Sequence, residues 1–360
     1  MKKLFIIIAV LAIVQHNVNA QGCVAIKSNG GYCAITGHHA DSSKNKIYTL
    51  SINHRYYRSY KHFVGTAEQK QRTAAGTEVV NYAHTTDFNL TKTLKEGWSV
   101  SIDVPIIANN RSSLYEHGGK SRHSTNSFGL GDIRLAAYKW IVDPVRMTKA
   151  NIQAGLGLKL PTGDYKYTDK FFVNDSTTIL GPVDQSIQLG DGGLGFTTEL
   201  NAYYNISKNF TAYGNFYYLI NPREQNGTST KRGGLPTATD LRYGSDVMSV
   251  PDQYMFRAGI NYSYKKLTVA AGIREECLPA KDLVGGSNGF RRPGYIISVE
   301  PGVTYEFKKF SAYAYVPVAL KRSRTQSVPD KIRTSITGVY AQGDAAFADY
   351  AINVGLTFKF

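Results

Sequence analysis

The sequence predicts an all-β fold, a single twelve-stranded antiparallel transmembrane β-barrel with short periplasmic turns and long extracellular loops. Three observations predict it. The stretch from Tyr350 to Phe360 alternates: Tyr350, Ile352, Val354, Leu356, Phe358 and Phe360 point one way, Ala351, Asn353, Gly355, Thr357 and Lys359 the other. A period of two with one apolar and one polar face is an amphipathic strand. A terminal aromatic closing such a strand matches the last strand of an outer-membrane barrel, and Phe360 is the residue that barrel-assembly machinery would read. Second, short and long links between such strands alternate along the chain. Third, Trp98, Tyr204, Phe210, Tyr264, Phe307, Phe310 and Phe360 all sit beside the short links, where an interfacial aromatic girdle belongs.

The elements follow in order. Lys2 and Lys3, an apolar run from Leu4 to Val14 and the small-residue site Val18-Asn-Ala20 read as a signal peptide over 1–20, so export to the bacterial outer membrane is expected. Residues 21–45 are polar and Gly-rich, a periplasmic or plug-like segment. Cys23 and Cys33 there are separated by nine residues in an oxidising compartment, which points to a disulfide. The barrel is expected over 46–360. Its strands fall near 47–57, 79–90, 98–106, 130–142, 151–160, 194–204, 210–220, 254–264, 267–276, 295–307, 310–320 and 350–360. The stretch 130–142 alternates least and rests on the need for an even strand count. Short links fall at 91–97, 143–149, 205–209, 265–266 and 308–309; long ones at 58–76, 108–127, 161–192, 221–250, 277–293 and 321–347. The 25 Tyr, 16 Phe and 34 Gly, against only 3 Cys, suit many short strands.

Phe128-Gly-Leu-Gly-Asp-Ile-Arg-Leu135, Gly155-Leu-Gly-Leu-Lys-Leu-Pro-Thr-Gly-Asp164 and Gln188-Leu-Gly-Asp-Gly192 form a trio over the 128–360 region. The trio resembles the outer-membrane family labelled for transport in meta-pathway phenol degradation. The resemblance implies an exported barrel that moves small molecules, and brings no catalytic residues. Physically, Asp132 and Asp164 fall at the external ends of neighbouring strands. They are weak candidates for a divalent cation, and Asx-type turn caps are the commoner role.

By strand parity Asp103, Arg134, Lys159, Glu199, Arg257, Arg274, Glu276, Glu300 and Glu306 face the lumen, with Asn151, Gln153, Asn201 and Asn261. Facing charges of both signs are the material of a selectivity constriction. They equally suit a salt-bridged filled interior, since eight strands pack solid and sixteen leave a channel. Inward Gly155, Gly157, Gly259, Gly272, Gly302 and Gly355 tilt the balance slightly toward open space.

The net charge of +15, or +13 once Lys2 and Lys3 leave with the leader, suits anionic lipid headgroups, including a lipopolysaccharide outer leaflet, or anionic solutes; no nucleic-acid partner is expected. Residues 54–63 (His54, Arg55, Tyr56, Tyr57, Arg58, Tyr60, Lys61, His62, Phe63) mix basic and aromatic side chains, either as a ligand-gripping patch or, more simply, as a headgroup belt. Cys277 is expected as a free thiol. His54 and His84 with Ser51 and Ser59 are the residue types of hydrolytic machinery, but no nucleophile signature accompanies them, so no enzyme and no cofactor are expected. The expected function is passive, substrate-biased passage of small molecules, aromatic or anionic, through a narrow charged lumen. The rival is a plugged barrel that binds partners through its external loops, and an outer-membrane enzyme stands third.

Overall fold

The computed structural model describes residues 47–144, 146–232 and 235–360. The signal peptide, the 21–45 segment and the Cys23–Cys33 pair lie outside the described residues. Twelve antiparallel segments form the wall. They are β1 (Tyr48–Val64), β2 (Val80–Thr93), β3 (Trp98–Ser113), β4 (His123–Leu130 and Arg134–Trp140), β5 (Ala150–Lys159) and β6 (Gly195–Asn205), followed by β7 (Phe210–Ile220), β8 (Gln253–Tyr264), β9 (Leu267–Leu278), β10 (Gly294–Glu306), β11 (Phe310–Tyr315 and Val318–Arg324) and β12 (Ala345–Lys359). Each pairs with its sequence neighbour, and β12 closes on β1 from Thr49↔Lys359 to Phe63↔Ala345. Closure leaves no unpaired edge, the condition for a sheet in hydrocarbon.

Side-chain parity sets the two faces. Val100, Ile102, Leu135, Leu156, Phe196, Leu200, Phe256, Ile260, Val269, Val303, Val354 and Leu356 point outward and are exposed. Their strand neighbours Ser101, Asp103, Arg134, Glu199, Asn201, Arg257, Asn261, Asn353 and Thr357 point inward and are buried. So large a continuous apolar surface fits a lipid environment, not water. No described helix is long and apolar enough to cross a membrane. At the short-turn rim the girdle is built as expected: Phe307 stacks on Phe310 at 4.6 Å, Phe310 meets Phe358 at 5.7 Å, and Tyr48 stacks on Phe360 at 6.0 Å.

The structure extends the expected elements. β1, β3 and β12 run several residues beyond the apolar alternation on the external side. There the outward residues are small or polar, as Ala108, Asn110, Ser112 and Ala348 are, so the greasy period stops at the edge of the lipid belt while ladder pairing continues. The 54–63 patch is therefore part of a strand and divides between two faces. Arg55, His62 and Phe63 are buried inside, while outward Arg58 lies over the Tyr60 ring at 4.4 Å.

β4 is a strand in two pieces, for a definable reason. Pro105 of β3 has no N–H to donate, and opposite it the partner slips by one residue, from Ile106↔Leu130 to Asp103↔Arg134. The bulge holds Gly131, Asp132 and Ile133, with Gly131 N donating to the Pro105 carbonyl at 2.8 Å. This irregularity is why the alternation of 130–142 reads poorly. β11 is interrupted likewise, at Val316-Pro317, opposite Pro301 of β10.

Candidate functional site: the lumen

Three levels of side chains occupy the barrel axis. The external level is a folded-in strap. After the hairpin Thr168–Phe172 with Thr178–Pro182, residues 183–193 turn into the mouth, where Val183, Ile187, Gln188 and Leu189 are buried. Asn109 and Ser127 of the wall donate to the Ile187 carbonyl. Asp184 takes both nitrogens of Arg292, at 2.7 and 2.6 Å, and lies 3.4 Å from Arg111. Burial opposes ionisation of Asp184, yet Arg111 and Arg292 hold its carboxyl well below the usual carboxylate range.

The sequence trio ties the strap to the wall. Asp132 Oδ1 accepts from Gly163 N at 3.0 Å, and Asp132 Oδ2 from Asp191 N and Lys159 Nζ, both at 3.2 Å. Lys159 also bridges to Asp191, and Thr162 Oγ1 links the bulge by accepting from Ile133 N and donating to Gly131 O, both at 2.8 Å. Gly163 and Gly190 cross so closely that a Cβ on Gly190 would lie 2.5 Å from the Gly163 carbonyl oxygen. All three motifs are thus one knot. Asp132 is spent on it, and Asp164 Oδ1 caps Lys166 N at 2.8 Å as an Asx turn. The two carboxylates are not brought together around a shared site. Among the described residues no group of three or more metal-ligating side chains occurs.

The middle level is a septum of ion pairs. Arg257 Nε and Nη2 donate to Glu300 at 2.9 and 3.0 Å. Arg274 reaches Glu276 at 2.8 Å and Glu300 at 3.8 Å, and Arg55 reaches Glu276 at 2.8 Å. On the opposite wall Arg134 pairs with Glu199, whose Oε1 also accepts from Tyr138 OH at 3.1 Å. Asp103 sits directly across from Arg134 in register. Exposure of 0% for Arg274, 1% for Glu300 and 2% for Arg134 shows side chains filling the lumen at this depth.

Of the residues expected in the lumen, Asp103, Arg134, Glu199, Arg257, Arg274, Glu276 and Glu300 meet here. Lys159 belongs to the external knot, and Glu306 is exposed at the short-turn rim, where its strand leaves the barrel. Asn151 braces the 142–149 turn, its Nδ2 donating to Val142 O at 2.7 Å.

Arg55 is read from sequence only as part of the 54–63 patch, and Asp87 and four tyrosines, Tyr138, Tyr213, Tyr313 and Tyr315, carry no sequence signal of their own. Arg55 shares parity with lumenal Asn53, which is the signal that could have found it. The tyrosines explain the inward glycines. A Cβ on Gly155 would strike Tyr138 at 2.5 Å, on Gly272 Tyr213 at 2.5 Å, on Gly302 Tyr315 at 2.2 Å, and on Gly355 Tyr313 at 2.4 Å. These glycines are slots occupied by rings, which corrects their reading as open space.

Below the septum a cavity of about 440 Å³ opens among the short turns. Asn53, Asp87, Asp103, Tyr138 and Tyr313 line its inner end, and Glu96, Trp140, Asp143 and Lys359 its mouth. Above the septum a smaller cavity of about 50 Å³ lies beside Arg111, Gln188 and Arg292. His54 and His84 lie on the outer face, 3.3 Å apart, while Ser51 and Ser59 face inward on partners of their own, Thr357 and Asn81. That set is not assembled. Cys277 is a buried thiol outside any disulfide among the described residues.

The fold these features define is an outer-membrane-type β-barrel with a packed, charged lumen. Among solved structures it is similar to an outer membrane channel from Pseudomonas putida F1, with 10% identity over 88% of this chain and 96% of that one and a TM-score of 0.55. Looser likenesses are the translocator domain of autotransporter NalP from Neisseria meningitidis (14% identity, 89% and 91% covered, TM-score 0.44) and the CymD monoaromatic hydrocarbon channel (11%, 96% and 98%, 0.40). At such identities the likeness is one of fold. No sequence family profile and no curated protein matches the chain.

Proposed function

We propose that this chain is a bacterial outer-membrane channel for small solutes, closed in this conformation by the strap and the septum. The observation that carries the reading is the chemistry of the filling. A barrel meant only to be solid is more stably filled by apolar side chains, because buried ion pairs rarely repay their desolvation. Here the axis instead carries Arg–Glu pairs and tyrosine faces, groups that can exchange partners with a polar or aromatic solute. The lumenal rings offer stacking surfaces to an aromatic solute. The bilayer, with a lipopolysaccharide-type outer leaflet, is the proposed surroundings, with assembly through the strand that ends in Phe360.

The tight septum favours one rival, a permanently plugged barrel acting through its loops. Single-channel recording in a planar bilayer separates the two. The channel reading expects resolved ohmic steps whose ion selectivity moves toward cations in Arg257→Ala and Arg274→Ala. No steps from the wild type, from these variants or after deletion of 21–45 would establish the plug.

A further inference from the structure

The septum is unbalanced in its ionisable groups. Four guanidiniums, Arg55, Arg134, Arg257 and Arg274, face five carboxyl groups, Asp87, Asp103, Glu199, Glu276 and Glu300, all buried, which leaves one carboxyl more than there are guanidiniums. The surplus can be located. Glu199, Glu276 and Glu300 are each bonded to arginine, and Asp103 stands opposite Arg134. Asp87 remains. It is 5% exposed, lies opposite Asn53 in register, has no ion pair to an arginine within 4 Å, and borders the 440 Å³ cavity. A buried carboxylate without a counter-charge is among the costlier features a fold can carry, so the group holds a proton or ionises against a cation taken up by the cavity it borders.

The cavity says which kind. Its volume is far above what a bare ion fills and lies in the range of small-molecule sites. The rings of Tyr138, Tyr313 and Trp140 line it together with Asp87 and Asp103. A carboxylate set among aromatic faces binds a cationic head by charge and by attraction to the π faces, and stacks a flat body attached to it.

We propose that the periplasmic vestibule is a binding site for a small organic cation, an ammonium or amidinium group on an aromatic body, with Asp87 as its counter-ion. This deepens the channel reading by naming a solute class, and it can be tested without conduction.

The chain holds 2 tryptophans, Trp98 and Trp140, and both border this cavity. Trp98 points to the outer girdle, so Trp98→Phe leaves Trp140 as the reporter. The folded Trp98→Phe protein in detergent is titrated with benzylammonium, benzyl alcohol and benzoate, which share a shape and differ in charge. Benzylammonium is expected to change Trp140 emission saturably, and the other two not to do so over the same range. Asp87→Asn should weaken benzylammonium at least tenfold. Ser101→Lys, which tethers an ammonium inside the vestibule, should abolish the response and raise the unfolding midpoint, and it serves should Asp87→Asn fail to fold. Equal responses to the three probes, an unchanged titration in Asp87→Asn, or displacement by potassium at matched concentration would overturn the proposal. Intact binding in a protein that passes no current would remove the channel reading alone.

Discussion

Glu300 shows what the buried lumen demands of a single residue. Its carboxylate serves Arg257 through two bonds and stands 3.8 Å from Arg274, and none of the three reaches solvent. Replacing it by alanine strands positive charge where water cannot follow, and breaking such a pair costs about 3–5 kcal/mol. Urea unfolding of Glu300→Ala in lipid vesicles should show a loss of that order; a loss below about 1 kcal/mol would mean that the septum is solvated. Gly302 makes a steric case beside it. A methyl there would lie 2.2 Å from the Tyr315 ring, so Gly302→Ala should destabilise the barrel by about 1–3 kcal/mol through overpacking. Because the clash needs the ring, Gly302→Ala combined with Tyr315→Ala should cost less than the two single changes summed. Strict additivity in that cycle would show that ring and slot are independent.

At the scale of elements, the strap is held by charge, and its pH response has a definite sign. Asp184 is depressed in the folded protein, so it contributes stability above its unfolded value of about 3.9, and that contribution fades as pH falls toward the lower folded value. Residues 183–193 should stay protected from hydrogen exchange at neutral pH and loosen below about pH 4, with Arg292→Ala moving the loosening to higher pH. Equal protection at pH 3 and pH 7 would contradict the charge clamp. The strands themselves were legible because lipid imposes a period of two that no other solvent imposes on both ends of a strand. Legibility stopped where the lipid stops: the external halves of β1 and β3 and the two-piece form of β4 depend on pairing and on Pro105, neither of which writes a hydrophobic pattern. The strap was invisible for a related reason. Its residues hydrogen-bond as a loop does, and only their partners across the mouth, Asn109, Ser127 and Arg292, give them a place.

For the whole molecule, parity told which charges face inward but not which share a depth. That depends on register around the closed ring, where Arg55 of β1 meets Glu276 of β9 across the lumen. Closure is therefore the quantity on which septum, vestibule and strap all depend, and it rests on the β12–β1 seam. The seam is also the place where a solute could leave sideways into lipid, if the wall parted. Paired residues in such a ladder have Cα atoms about 4.5–5.5 Å apart, within the span a disulfide accepts. Ile52 and Leu356 are such a pair, on the lipid face. In a Cys277→Ser background, Ile52→Cys with Leu356→Cys should oxidise to an intact, folded barrel. A path along the axis predicts the same conductance and the same benzylammonium titration with the seam locked or reduced. Conductance that disappears on oxidation and returns with reductant would place the exit in the wall.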